Sequence, residues 1–205
     1  MSPVPEEFQE FGKIARLSRN AIITEKIDGT NAQVAITEDG GFLCGSRNRY
    51  ITPENDNYGF ALWAYAHKDE LMLLGPGRHF GEWWGNGIQR GYGLPNGDKR
   101  WSLFNVGRWC LHNEEPKPIN GGGDPKEPLR YQSKLPACVG LVPVIVQGLF
   151  TTELVDFAMN KLRTGGSLAA PFMNPEGVVI YHEASRTLFK KTLEGDEMPK
   201  SKERT

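Results

Sequence analysis

Apolar and polar residues alternate in the first part of the chain, and this alternation predicts β-strands. Residues 22–36 read as two strands on either side of an Asp-Gly pair at 28–29, with apolar residues at every second position of the second strand. A third strand near residues 41–44 is predicted to pair with the second across the turn at 39–40. The pattern therefore favours antiparallel strands in this region.

Two later segments have the spacing of amphipathic helices. Residues 58–74 are predicted to form one helix that ends at 75–77, and a second helix is predicted to begin near Thr151 and to end at 165–166. The predicted apolar stripes are Phe60, Trp63, Ala64, Leu71 and Leu74 in the first helix, and Leu154, Val155, Ala158 and Leu162 in the second. Residues 113–136 are rich in Pro, Gly, Lys and Glu and are predicted to form an exposed loop. Strands combined with these helices indicate an α+β domain.

The overall charge gives no general attraction to nucleic acid, because 24 basic and 25 acidic residues leave a net charge of −1. A local patch is possible within residues 78–108, where basic and aromatic residues are interleaved. Its members are Arg78, Arg90, Lys99, Arg100 and Arg108 with Trp83, Trp84, Tyr92, Trp101 and the adjoining Trp109. These aromatic side chains either stack on unpaired bases or belong to the core.

The cysteines indicate a reducing compartment, because Cys44, Cys110 and Cys138 are odd in number and widely spaced. Cys110 and His112 with Cys138 lack the second close ligand pair of a structural zinc site. No apolar run reaches ~18 residues and the first residues do not resemble a signal peptide. A soluble, cytoplasmic protein without a membrane partner is the expectation.

The strongest chemical signal is the run Glu-Lys-Ile-Asp-Gly-Thr-Asn at residues 25–31, directly after an apolar stretch. An Asp-Gly pair is also an ordinary hairpin turn. A lysine acts as a nucleophile only in its neutral form, which partial burial or neighbouring cations favour. Transfer of a phosphoryl group further requires fixed cations at the phosphorus and a carboxylate for a divalent metal. Both residue types recur in later segments of the chain.

The run resembles the Lys-x-Asp-Gly motif of covalent nucleotidyltransferases, the superfamily of polynucleotide ligases and mRNA capping enzymes. Five further segments, at 45–48, 79–85, 101–106, 175–180 and 188–191, resemble that family's other elements in the same order. The resemblance implies an ATP-grasp-like nucleotidyltransferase fold, with mainly antiparallel sheets and flanking helices around a nucleotide cleft. It also implies a domain over residues 1–192, followed by a polar tail at 193–205.

The resemblance implies a role for each matching residue. Lys26 is the nucleophile that accepts AMP, Glu25 lies near the adenine edge, and Gly29 gives the turn that lets the backbone approach the nucleotide. The remaining implied roles are Arg47 at the sugar or a nucleic-acid phosphate, Glu82 at the ribose hydroxyls, Phe104 stacked on the purine, Glu176 with Asp28 arranging Mg²⁺, and Lys190 at the α-phosphate. The family commonly has Lys-x-Lys in its last element, whereas Lys190 and Lys191 are adjacent here and are predicted to point to opposite faces of a strand.

Asn31 directs the resemblance to one group within the superfamily, the phage and kinetoplastid-editing RNA ligases. Members of this group more often carry asparagine at this position, whereas DNA ligases usually carry arginine. The implied activity is ATP-dependent joining of 5′-phosphate and 3′-hydroxyl RNA ends, as in RNA repair, through a lysyl-AMP intermediate on Lys26. ATP and Mg²⁺ are the implied cofactors, and RNA ends are favoured over DNA ends as partners. Three alternatives stay open: a DNA nick-sealing ligase, a GTP-dependent capping guanylyltransferase, and a binding module without turnover.

Overall fold

The computed structural model describes residue 8 and residues 10–109 and 135–196. Most of the loop predicted at 113–136 lies outside these residues, as do Cys110, His112 and the tail beyond residue 196. The strands are β1 (Asn20–Lys26), β2 (Thr30–Ile36), β3 (Phe42–Gly45), β4 (Tyr50–Ile51), β5 (Gly77–Gly85), β6 (Lys99–Leu103), β7 (Gly140–Leu141), β8 (Val144–Leu149), β9 (Gly177–His182) and β10 (Thr187–Thr192). The α-helices are α1 (Phe60–Ala66), α2 (Lys68–Leu71), α3 (Val106–Trp109) and α4 (Thr152–Gly165).

The strands form two sheets, and most neighbours are antiparallel. The smaller sheet has the order β10-β9-β1-β8, and the larger sheet has the order β4-β3-β2-β5-β6-β7. Only β6 and β7 are parallel among the described strand pairs. This architecture confirms the predicted α+β class with mainly antiparallel sheets.

Helix α4 covers one face of the smaller sheet and matches its prediction closely. Thr151 caps its first turn, where the Thr151 hydroxyl accepts a hydrogen bond from the Leu154 amide at 3.1 Å. The helix ends at Gly166, whose φ of 76° lies in the left-handed region. Val155, Ala158 and other residues of its apolar stripe pack on the sheet core.

The first predicted helix is broken, which corrects the expectation of one helix over residues 58–74. The segment consists of α1, α2 and a 3₁₀ turn at Met72–Leu74. The Asp56 carboxylate accepts hydrogen bonds from the Ala61 and Leu62 amides at 2.8 and 2.9 Å, which fixes the beginning of α1. At His67 the backbone leaves the helical region, with φ −107° and ψ 20°.

The Asp-Gly pair at 28–29 does not form a hairpin, because β1 and β2 belong to different sheets. The predicted hairpin of β2 and β3 is present, with Val34 opposite Cys44. A buried apolar cluster with residues from both sheets lies between them. Its buried members are Ile27, Trp84, Tyr92, Leu94, Val106, Val142, Val144 and Ala170. The segment after Lys26 therefore passes from one sheet to the other.

The interleaved aromatic residues of 78–108 belong mostly to the core. Trp83, Trp84, Tyr92 and Trp101 are at most 2% exposed, so these rings cannot stack on nucleic-acid bases. Trp83 and Trp101 each pack on Phe60, with ring centroids 5.5 and 5.3 Å apart. Among the described residues, no helix combines the length and the apolar composition needed to cross a membrane.

Candidate active site

Lys26 is the last residue of β1 and lies on the face of the smaller sheet opposite to α4. Its partner in the β9 register is Gly177, so it stands beside the residue that precedes that strand, Glu176. The Lys26 ammonium forms an ion pair with the Glu176 carboxylate. Glu176 is buried, whereas about a fifth of the Lys26 side chain is exposed. The candidate nucleophile therefore opens to solvent beside a buried carboxylate.

Glu25 lies on the other face of β1 and is 1% exposed. Its Oε2 accepts hydrogen bonds from the amides of Leu168 and Ala169, at 2.7 and 3.2 Å. Its Oε1 has no hydrogen-bond partner among the described residues. Burial raises the pKa of this carboxyl, and hydrogen bonds from Ser167 and the two amides oppose that change.

Asp28 is held by two residues that the sequence pattern did not single out as a pair. The Arg90 Nε donates to Asp28 Oδ2 at 3.1 Å, and the Asp28 amide donates to the Tyr92 hydroxyl at 3.0 Å. Arg90 Nη1 also donates to the Asn174 carbonyl at 3.0 Å. Arg90 thus connects the segment after Lys26 to the segment before Glu176.

Gly29 lies against β5, where no side chain would fit. A Cβ atom at this position would be 2.4 Å from the Trp83 carbonyl oxygen. The Gly29 amide donates to Glu82 Oε1 at 3.0 Å, and Asn31 Nδ2 donates to Glu82 Oε2 at 3.0 Å. Glu82 therefore fixes the two residues on either side of Thr30 with its two oxygens.

The Glu82 carboxyl has an unusual pKa. Burial raises this pKa from 4.5 to about 7, against the lowering effects of Lys26, the Gly29 amide and Asn31. Only 8% of the residue is exposed, which explains why loss of solvation dominates. Glu82 is therefore near the midpoint of its titration at neutral pH.

Lys190 and Lys191 have side chains on opposite faces of β10. Lys190 is opposite Val179, which is opposite Thr24, so Lys190 shares the face of Lys26. Lys191 is on the α4 side, where its ammonium is 3.8 Å from the Asp196 carboxylate. A shallow cavity of about 440 Å³ beside Lys191 is lined by residues of α4 that include Glu153 and Asp156.

Arg47 and Phe104 are exposed side chains of the larger sheet and its turns. Arg47 is exposed in the turn between β3 and β4. Phe104 follows β6 and is 41% exposed, so it is not a core residue. The structure therefore brings together Lys26, Asp28, Gly29, Asn31, Glu82 and Glu176 by hydrogen bonds, an ion pair or charge interactions, while Arg47, Phe104 and Lys190 are exposed side chains.

The donor set suits a hard divalent cation. Carboxylate oxygens are the ligands that magnesium and manganese prefer. In the described part of the chain, no group of three acidic, histidine or cysteine side chains is arranged to hold a metal ion without further ligands from a bound molecule. Magnesium commonly binds through one or two carboxylates together with substrate phosphates. The residues therefore fit a metal that binds with a nucleotide.

One of the comparisons with known proteins identifies a family. The model of the RNA ligase family matches residues 19–192. A comparison with curated proteins gave no match. Among solved structures, an RNA ligase of Naegleria gruberi with pyrophosphate has 17% sequence identity and a TM-score of 0.53, over 85% of this chain and 50% of that chain. A lysine-to-alanine variant of the ligase from that organism, with ATP and manganese, has 16% identity and a TM-score of 0.52, over 85% and 50% of the two chains.

These similarities establish a shared fold, and the present chain spans about half the length of the solved ligases. The family match covers every segment that carries a candidate site residue, from Glu25 to Lys190. The chain belongs to the RNA ligase family.

Proposed function

We propose that this chain is the nucleotidyltransferase domain of an ATP-dependent RNA ligase that joins 5′-phosphate and 3′-hydroxyl ends through a lysyl-AMP intermediate on Lys26. The observation that carries the proposal is the position of Lys26, which is partly exposed and paired with the buried Glu176. Family membership and the ATP and manganese of the solved Naegleria gruberi ligase support it. The division into a domain at 1–192 and a tail at 193–205 stays part of the proposal.

In the first step, the Lys26 amine attacks the α-phosphorus of ATP. A nitrogen–phosphorus bond forms, the bond to pyrophosphate breaks, and the lysine loses a proton. The Lys26 ammonium must first pass a proton to water and leave its ion pair with Glu176, because an ammonium has no free electron pair. Glu176, with Asp28, would hold a divalent cation, which supplies charge neutralisation for the triphosphate.

Two further steps would seal the RNA. The AMP group passes from Lys26 to a 5′-phosphate of RNA and forms a new phosphate–phosphate linkage. A 3′-hydroxyl then attacks that 5′-phosphate, and AMP leaves. Lys190 shares the face of Lys26 and can place a cation near the α-phosphate.

The adenosine would occupy the rest of the cleft. Glu25 Oε1 has no hydrogen-bond partner among the described residues, and it would accept one from the adenine amino group if nucleotide binding moves its neighbours aside. Phe104 offers an exposed ring for stacking on the purine. Glu82 anchors Gly29 and Asn31 with both oxygens, so its contact with a ribose would share oxygens that are already hydrogen-bonded.

Protein freed of bound AMP and incubated with Mg²⁺ or Mn²⁺ and α-labelled ATP should form an adduct, detected on a denaturing gel and by intact mass. We expect Lys26→Ala to lose this adduct. Lys191→Ala is the matched control, because Lys191 lies on the α4 side of the sheet and should retain it. An adduct that persists in Lys26→Ala would overturn the proposed nucleophile.

The same assay tests the other functions. A GMP adduct from labelled GTP would indicate capping chemistry, and the absence of any adduct would indicate a binding module. Once the AMP adduct is established, matched RNA and DNA strands with 5′-phosphates identify the acceptor. Faster sealing of DNA ends would contradict the RNA ligase assignment.

A further inference from the structure

A row of aromatic side chains crosses the larger sheet on the face opposite to α1. Tyr50 is opposite Gly45, Gly45 is opposite Gln33, and Gln33 is opposite Phe80. The Phe104 amide donates to the Phe80 carbonyl at 3.0 Å, which places Phe104 next in the row. Paired residues of antiparallel strands point to the same face. Tyr50, Phe80 and Phe104 therefore form one aromatic row.

The three rings are unusually accessible for large side chains on a sheet. Tyr50 and Phe80 are each 50% exposed and Phe104 is 41% exposed, whereas His79, beside Phe80 in β5, is 3% exposed. An open face of an antiparallel sheet normally carries polar residues, because the other face supplies the core. Exposed rings aligned in one row therefore suggest a ligand with flat, stackable groups.

Gln33 supplies polar groups between the rings. Its side chain lies over Gly45, where a Cβ atom would be 2.8 Å from the Gln33 Cγ. Arg78 Nη1 donates to Gln33 Oε1 at 3.4 Å, so a guanidinium also borders the row. An amide and a guanidinium can bond to base edges and phosphates, while rings bind base faces.

The row continues directly from the candidate nucleotide site. Asn31 precedes Gln33 by two residues, and Glu82 follows Phe80 by two, so all four side chains lie on one face. Asn31 and Glu82 are hydrogen-bonded to each other beside Gly29. Arg47 and Arg49 are exposed in the turn before Tyr50, which adds positive charge at the far end. A polyanion with bases fits this surface in both charge and shape.

We infer that Tyr50 and Phe80 stack on unpaired bases of the RNA strand whose end is being joined. The inference rests on the proposed function and extends it to the substrate. Three strand spacings separate Tyr50 from Phe80, about 14 Å, which leaves room for more than one base. Phe104 remains assigned to the purine of ATP. The RNA would therefore occupy the rest of the row, from Phe80 to Tyr50.

The test compares RNA binding with adenylation. Phe80→Ala and Tyr50→Ala should each weaken binding of a fluorescent single-stranded 5′-phosphorylated RNA by roughly tenfold or more, measured by anisotropy. Both variants should form the Lys26 adduct with ATP at the wild-type rate, because they leave the nucleotide contacts in place. Leu62→Ala, at a 64% exposed position on α1, is the control and should bind RNA normally.

Conservative variants identify stacking as the cause. Tyr50→Phe and Phe80→Tyr should restore binding, whereas Phe80→Leu should not, because leucine keeps apolar area and lacks a ring. Unchanged RNA affinity in both alanine variants would overturn the inference. Equal losses for blunt duplex RNA would also overturn it, since paired bases cannot stack on the row. Failure of the wild-type protein to form an AMP adduct would instead count against the proposed function.

Discussion

At the residue scale, Gly29 holds the segment after Lys26, the proposed nucleophile, against strand β5 of the larger sheet. A Cβ atom there would lie 2.4 Å from a backbone oxygen and 2.8 Å from the Trp84 Cβ. Neither atom can move without shifting β5, so we expect Gly29→Ala to lower the free energy of unfolding by about 2 to 4 kcal/mol. Urea denaturation measures the change, and the adenylation assay should show slower adduct formation.

The matched control is Gly165→Ala at the end of α4. Nothing lies within 4 Å of a Cβ atom at this position. This variant should change stability by less than about 1 kcal/mol, in either direction. Equal stability of Gly29→Ala and Gly165→Ala would show that the close approach of Gly29 to β5 does not require glycine.

Glu82 makes the stability of the protein depend on pH. Its pKa is about 7 in the folded protein and 4.5 is the ordinary value. Between these values the folded state binds the proton more strongly than the unfolded state, so the free energy of unfolding falls as pH rises. The ionised Glu82 carboxylate lowers the free energy of unfolding by roughly 3 kcal/mol above pH 7, and this loss is absent below about pH 4.5.

Comparison of wild type with Glu82→Gln isolates this contribution. We expect the wild-type free energy of unfolding to decline between about pH 5 and 7.5 more steeply than that of Glu82→Gln, in denaturant titrations at fixed ionic strength. The glutamine side chain has only one acceptor oxygen and cannot accept both hydrogen bonds. We therefore expect the Glu82→Gln variant to be less stable than wild type at acidic pH. Parallel pH profiles for the two proteins would contradict the raised pKa.

At the scale of elements, Arg90 joins three parts of the site. It contacts Asp28 after β1 and Asn174 before β9, and Tyr92 holds the Asp28 amide from the same loop. The Arg90–Asp28 pair is partly buried, with 26% and 14% of the side chains exposed. This loop therefore connects the segment after Lys26 to the segment before Glu176.

Loss of Arg90 should slow chemistry more than it lowers stability. We expect Arg90→Ala to reduce the rate of adduct formation at saturating ATP by roughly tenfold or more, because misplacement of reacting groups is costly. Arg90→Lys should recover little, since lysine cannot supply two directed bonds to Asp28 and Asn174. Arg100→Ala removes a more exposed ion pair with Asp98 and should leave the rate unchanged. A normal rate in Arg90→Ala would contradict the positioning role.

The contrast between α4 and the segment at 58–74 shows what a local pattern can predict. Helix α4 has its cap, its apolar stripe and its stop within one short segment, so the sequence predicts it well. The break at His67 depends on how the chain packs against the larger sheet, which periodicity does not report. Likewise the Asp-Gly pair has the local signature of a hairpin, and only the separation of β1 and β2 into two sheets excludes it.

The candidate site shows the same division. The order of motifs in the sequence predicts site roles for Lys26, Glu82 and Glu176, and the structure places these three side chains near one another. Arg90 and Tyr92 were missed as site residues, since their contacts with Asp28 span more than 60 positions. The sequence left open whether Trp83 and Trp101 are core residues or stack on bases, because basic neighbours surround aromatic residues in both core strands and nucleic-acid surfaces. The structure shows that both are buried.

At the scale of the whole molecule, the site is assembled from two sheets with separate cores. Lys26, Glu176 and Lys190 come from the smaller sheet or its edge, whereas Asn31, Glu82 and Phe104 come from the larger sheet. A nucleotide that contacts both groups binds only when the sheets are correctly placed. Ligand binding should therefore stabilise the folded protein as a unit.

ATP with Mn²⁺ should raise the thermal midpoint of Lys26→Ala, in which no covalent adduct complicates the equilibrium. At a hundredfold excess over the dissociation constant the shift should be about 5 to 10 °C. Pyrophosphate with Mn²⁺ lacks adenosine and should give a smaller shift, because it reaches only the charged groups near Lys26. Adding Phe104→Ala should reduce the ATP shift toward the pyrophosphate value. If ATP and pyrophosphate give equal shifts before Phe104 is changed, adenosine does not bind across the two sheets, and the roles of Phe104 and Glu25 fail together.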